Sequence, residues 1–245
     1  TGYLLLEDVA DDRTYATWKA VVDERLKVVG TGVLYLVSDR AQALIQLAEQ
    51  GLECLSMPDF FHVVHDLIKC YSLALGRHLR HAHQELKAAT EALARLQERP
   101  HAAQNAPQAE ALVATRRAEV TRWEEARSTY RRHLETLSLA LHPFRITDSA
   151  PQTSAEVASH LQATVEAIDV FAQCHQLPAR PAAMAKVRKQ LPALAALVDF
   201  WWAGVEQDLE HAGLSTRWRT WAKECLLPYV YWAHQVSHTR CARRK

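Results

Sequence analysis

Apolar residues follow two rhythms along this 245-residue chain. Up to about residue 57 they form short runs cut by turns, and from Phe60 onward they recur at helical spacing. The first rhythm predicts β-α-β-α-β. Tyr3-Leu4-Leu5-Leu6 reads as a strand ending in Glu7-Asp8. Thr14 caps a helix running to about Val28, with Trp18, Val21, Val22 and Leu26 on its buried stripe. Gly30 and Gly32 break that helix and admit a second strand, Val33 to Val37. Ser38 or Asp39 then caps a short helix carrying Ala41, Leu44, Ile45, Leu47 and Ala48, stopped by Gly51. Leu52 to Leu55 makes a third strand. Strands alternating with helices imply parallel pairing and right-handed crossovers. Three short strands make a thin sheet, so more of it is expected upstream.

The second rhythm predicts helices only. Leu75, Leu79, Ala82, Leu86, Ala89, Leu93 and Leu96 recur in alternating steps of four and three, an a/d seam. Pro100 to Pro107 has the composition of a turn. A second long helix follows, with Leu112, Trp123, Ala126, Tyr130, Leu137 and Leu141 on one side. Two long helices and a short connection predict an antiparallel hairpin, each arm about 45 Å long. His142-Pro143-Phe144 ends it. A polar loop from Thr147 to Thr153 leads into a helix near 154–175, and helices near 183–211 and 215–238 complete the chain. The expected division is an α/β part over 1–66, the hairpin over 67–141 and a helical bundle over 142–245.

Composition narrows the function classes only a little. The net charge of +1 predicts no polyanionic partner from overall charge. Cys54, Cys70, Cys174, Cys225 and Cys241 lie far apart, which suits buried, isolated thiols in the cytoplasm. No apolar run approaches the roughly 20 residues of a membrane span. The start, Thr1-Gly2-Tyr3, is neither an initiator methionine nor a signal peptide, and the chain reads as a fragment.

Candidate chemistry concentrates at the predicted strand ends. A carboxylate at the carboxyl tip of a buried strand sits where α/β sheets present ligands. Asp39 occupies such a tip, and Asp59 and His62 follow the third strand at a similar height. Asp39 is a candidate ligand for a divalent metal, since phosphoryl transfer needs hard oxygen donors. Spacing alone favours a helix cap, and the two roles are compatible. Three histidine groupings (His62 with His65; His78, His81 and His83; His234 with His238) lack any metal-binding motif and default to surface or packing roles. The hairpin arginines Arg77, Arg80, Arg116, Arg117, Arg127 and Arg131 are candidates for gripping phosphates, but they are interleaved with glutamates, and the balanced charge favours a solvated face. The one-sided tail, Arg240, Arg243, Arg244 and Lys245, is the better candidate for DNA contact.

Leu36-Val37-Ser38-Asp39-Arg40-Ala41-Gln42-Ala43-Leu44 and Pro58-Asp59-Phe60-Phe61-His62 resemble the middle of a DDE-type insertion-sequence transposase. Asp12-Arg13-Thr14-Tyr15-Ala16-Thr17-Trp18, His142-Pro143-Phe144, Asp199-Phe200-Trp201-Trp202 and Leu226-Leu227-Pro228-Tyr229-Val230-Tyr231-Trp232 extend the likeness over most of the chain. The resemblance implies an α/β plus all-α fold: an incomplete ribonuclease H-like sheet over 1–66, followed by a mostly helical insertion. It implies that Asp39 is the second acid of the triad and a Mg²⁺ or Mn²⁺ ligand in the complete enzyme. It also implies transposon-end and target DNA as partners, homo-oligomeric assembly and no membrane. Glu7 and Asp8 lie too close to Asp39 to be the first acid, because two strands and a crossover helix must intervene. Glu206, Glu210 and Glu224 read as solvated positions, so both other acids are expected outside the chain and residues 1–245 alone are expected to be inactive. Two rivals stand beside this expectation. One is a non-enzymatic interaction module pairing through the Leu79/Leu86/Leu93 seam. The other is a self-contained nuclease using Asp39, Asp59 and Glu7.

Overall fold

The computed structural model describes Leu4, Leu6, Glu7 and residues 11–98 and 105–242, with side chains through 237. The fold is mostly helical, with one small sheet. Helix α1 spans Tyr15–Val29. Thr14 caps it by accepting the Thr17 N–H, and Gly30, at φ 68°, closes it by donating to the Leu26 carbonyl at 2.8 Å. Strand β1 is Tyr35–Ser38 and β2 is Leu55–Pro58. They pair in parallel, Tyr35 opposite Leu55 and Ser38 opposite Pro58. The connection is α2, Gln42–Gln46, which runs on as a π-helical turn over Leu47–Gly51.

Three expectations for this part are corrected. Leu4, Leu6 and Glu7 belong to no strand, and Leu4 is 78% exposed, so these residues gain no pairing partner. Tyr3, Leu5 and Asp8 lie outside the described residues. The other two strands start two and three residues later than their apolar runs suggest, because pairing sets a strand's limits and the π turn delays β2. The predicted buried stripe of α1 is not buried either: no residue of that helix is, and Trp18 is 37% exposed.

The bulk of the core lies elsewhere. Helix α3, Phe60–Gln97, and α4, Ala106–Ala140, form the antiparallel hairpin. At 38 and 35 residues, each arm reaches about 55 Å. Leu75, Ala82 and Ala89 are buried along the α3 seam, with Leu79 and Leu86 packed against them. Val113, Val120, Trp123, Ala126, Tyr130 and Leu137 bury from α4. Leu112 does not, because its neighbour Val113 takes the inward position. The Tyr130 hydroxyl, in the core, donates to the Leu67 carbonyl across the pair.

Helix α5, Ser154–Cys174, starts with a capping box in which Thr153 and Glu156 satisfy each other's backbone N–H groups. Helix α6, Pro181–His211, packs on α5 and α3, completing the core with Val187, Leu191, Leu194 and Val198. Helix α7, Thr216–Trp221, passes through a second π turn, Ala222–Leu226, into α8, Leu227–Ala242. Phe144 ties the bundle's end together. It is fully buried, and its ring meets Trp201, Trp202 and Tyr231. Among the described residues, no helix is long and apolar enough to cross a membrane. The four described cysteines are free, but only Cys70 is buried, while Cys174 and Cys225 are exposed; the expectation of mostly buried thiols is corrected accordingly.

Candidate acidic site at the strand ends

Parallel pairing brings the ends of β1 and β2 to the same edge of the sheet. Asp39 follows Ser38 and Asp59 follows Pro58, the last paired positions of the two strands. The Asp59 N–H donates to the Ser38 carbonyl at 2.7 Å, extending the ladder one step and setting both aspartates at one height. Both precede helices. Asp39 Oδ1 accepts the Ala41 N–H at 2.9 Å, ahead of α2. Asp59 Oδ1 accepts the Phe61 N–H at 2.9 Å as the cap of α3.

Arg40 holds the turn after Asp39. Its φ of 61° is left-handed, a conformation that non-glycine residues adopt at a cost of about 1–3 kcal/mol. Two contacts fix it there. Its N–H donates to Ser38 Oγ at 3.1 Å, and its guanidinium donates to the Ser56 carbonyl on β2 at 3.1 Å. The sequence signals the aspartate but not this bracing, which depends on two strands lying side by side.

Both carboxylates face solvent. Asp39 is exposed, and its second oxygen has no protein partner among the described residues. Asp59 Oδ2 accepts from His62 Nδ1 at 2.9 Å, which orients the imidazole and leaves Nε2 available. Phe61, 67% exposed, stacks on His65. The structure thus brings Asp39, Asp59 and His62 to one end of the sheet. It does not complete a metal centre: among the described residues no three His, Cys, Asp or Glu side chains gather to hold an ion. Each aspartate also commits one oxygen to a backbone N–H, that of Ala41 for Asp39 and of Phe61 for Asp59. Two carboxylates so committed do not form a two-metal site on their own.

The other candidate acids are occupied or apart. Glu206 pairs with Lys223, and Glu210 with Arg219 at 3.3 Å. Glu224 is exposed on the π turn before α8. The histidine group at 78–83 is split by its helix: His78 stacks on Trp123 at 4.3 Å, while His83 lies 3.9 Å from Glu124. The side chains of His238 and Arg240, and all of Arg243, Arg244 and Lys245, lie outside the described residues.

Sequence reading missed a half-buried polar pair. His142 Nδ1 and the Tyr231 hydroxyl are 2.5 Å apart across 89 residues. Burial lowers the His142 pKa and raises that of Tyr231. The only signal was His142-Pro143-Phe144, read as a helix stop. In comparisons with family models, curated proteins and solved structures, the chain matches none.

Proposed function

We propose that these residues are part of a DDE-type insertion-sequence transposase, with Asp39 as the second acid of its triad. The complete enzyme would cleave DNA at transposon ends and join the freed strand to target DNA, working as a homo-oligomer. The observation that carries this reading is the exposed Asp39 carboxylate at the carboxyl end of a parallel strand, beside Asp59 on the next. A strand end of an α/β sheet is where such folds place ligands.

The sheet supports it too. Parallel sheets are normally covered on both faces and rich in buried aliphatic residues. Here Val37 on β1 is 48% exposed and Leu55 on β2 51%, and Leu34, just ahead of β1, is 77% exposed. Tyr35 reaches the helical part, edge-on to Phe200 at 5.1 Å, and β2 packs against α6 with Met57 buried. The uncovered residues fit a ribonuclease H-like sheet whose other strands, and other two acids, come from sequence beyond these residues. In the complete enzyme, Mg²⁺ or Mn²⁺ would neutralise charge at the reacting phosphodiester. The present residues hold the Asp39 carboxylate at the strand tip, its backbone braced by Ser38 and Arg40.

A supercoiled plasmid in Mg²⁺ or Mn²⁺ tests the reading. The 245-residue chain should leave the plasmid intact, and the chain extended by its neighbouring coding sequence should nick it and join transposon ends. Nicking by the unextended chain that Asp39→Ala abolishes would contradict the incomplete centre and favour a self-contained nuclease. An extended protein without strand-transfer activity would contradict the transposase.

A further inference from the structure

The glutamates that balance the hairpin's charge in sequence do not balance it in space. Towards the hairpin's tip, Arg116 sits between Glu85 at 3.1 Å and Glu119 at 3.2 Å. Nearer the bundle, a groove of about 520 Å³ opens between α3 and α4, and Arg80, Arg127 and Arg131 all line it. No carboxylate lines this groove. None of the three arginines has an ion pair among the described residues. Glu124 borders it on the α4 side, within 3.9 Å of His83 rather than pairing with an arginine.

Three permanently charged guanidinium groups line one groove with Glu124 at its rim paired with none of them, so positive charge is in excess there and an anion in the groove offsets it. The groove is shaped to hold them. Gly76 leaves its floor bare, and the Arg80 guanidinium lies 3.5 Å from where a Cβ would stand at that position. Arg127 and Arg131 are one helical turn apart, about 6 Å along α4, with Arg80 facing them from α3. Such a row spans more than one phosphate. Ser72 adds a hydroxyl to the lining.

We infer that this groove binds the phosphodiester backbone of duplex DNA, with Arg80, Arg127 and Arg131 contacting phosphates. The choice of DNA among polyanions rests on the proposed transposase function; the grouping of unpaired arginines does not. Contacts of this kind carry no sequence information and make affinity depend steeply on salt.

The test is fluorescence anisotropy of a short labelled duplex titrated with the full chain, between about 50 and 200 mM salt. Replacing the three arginines together (Arg80→Gln, Arg127→Gln, Arg131→Gln) should weaken binding about tenfold or more and reduce the salt slope by about three. The triple replacement by lysine should keep the slope, and Arg116→Gln should leave binding unchanged. Circular dichroism confirms that each variant is folded. Unchanged affinity and slope in the triple glutamine variant would overturn the inference. So would a wild-type chain that binds inorganic tripolyphosphate but no duplex, which would make the groove a small-anion site. The two readings fail separately: strand transfer by an extended protein whose groove binds no duplex removes only the groove. Duplex binding through the groove by a protein that never joins DNA removes only the transposase.

Discussion

His142 shows how much a single side chain adds to this fold. Its imidazole is bonded to the Tyr231 hydroxyl and meets the ring of Trp232 at 5.0 Å, so the chain after α4 is fastened to α8. Burial holds its pKa below the ordinary 6.5. His133 and His175 are lowered in the same direction, by burial first and then by Arg132 and Arg122 respectively. A histidine kept neutral by the folded state stabilises it above its unfolded pKa, and that stability is lost as the pH falls through the folded value. The structurally bonded carboxylates with lowered pKa, Asp12, Asp148 and Glu156, start from ordinary values of 3.8 and 4.5, so their losses begin at lower pH. The unfolding temperature should therefore fall on acidification from about pH 6.5 towards 5. His142→Phe should lessen that fall. A melting temperature flat across this window would refute the assignment. None of this was readable in sequence, because a histidine's burial depends on partners tens of residues away.

Helices were legible and strand limits were not, for a physical reason. A helix bonds within itself, so Leu75, Ala82 and Ala89 announce the buried face of α3 by spacing alone. The start of α5 was equally readable in Thr153 and Glu156, three apart. Thr153→Ala should destabilise the protein by about 1 kcal/mol in urea unfolding, and no change would mean that the cap is redundant. A strand has no such local definition. Leu52 to Leu55 was read as a strand, yet β2 pairs as Leu55–Pro58 because α2 ends in a π turn and Ser38 fixes the register opposite Pro58. The candidate site straddles this divide. Asp39 and Asp59 were legible as residues after apolar runs, whereas their common height and the Arg40 brace come from pairing.

The molecule as a whole divides into a well-packed helical bundle and a small sheet with uncovered aliphatic residues. Near-neutral net charge hides an arginine groove on one side of the hairpin, whereas the parallel sheet with two carboxylates at one end was legible in the apolar runs. Both features gain meaning if the sheet belongs to a larger nuclease fold in which Asp39 is essential. The measurement that bears on this most directly is strand transfer by the protein extended through its neighbouring coding sequence, comparing the wild type with Asp39→Asn. Asparagine keeps the size and the oxygen that accepts the Ala41 N–H but removes the charge, so a mere turn-forming role would be little disturbed. Loss of strand transfer by about a thousandfold or more, with melting temperature unchanged, is the expected result, since metal-borne charge stabilisation contributes several kcal/mol. Strand transfer undiminished in Asp39→Asn would contradict the account.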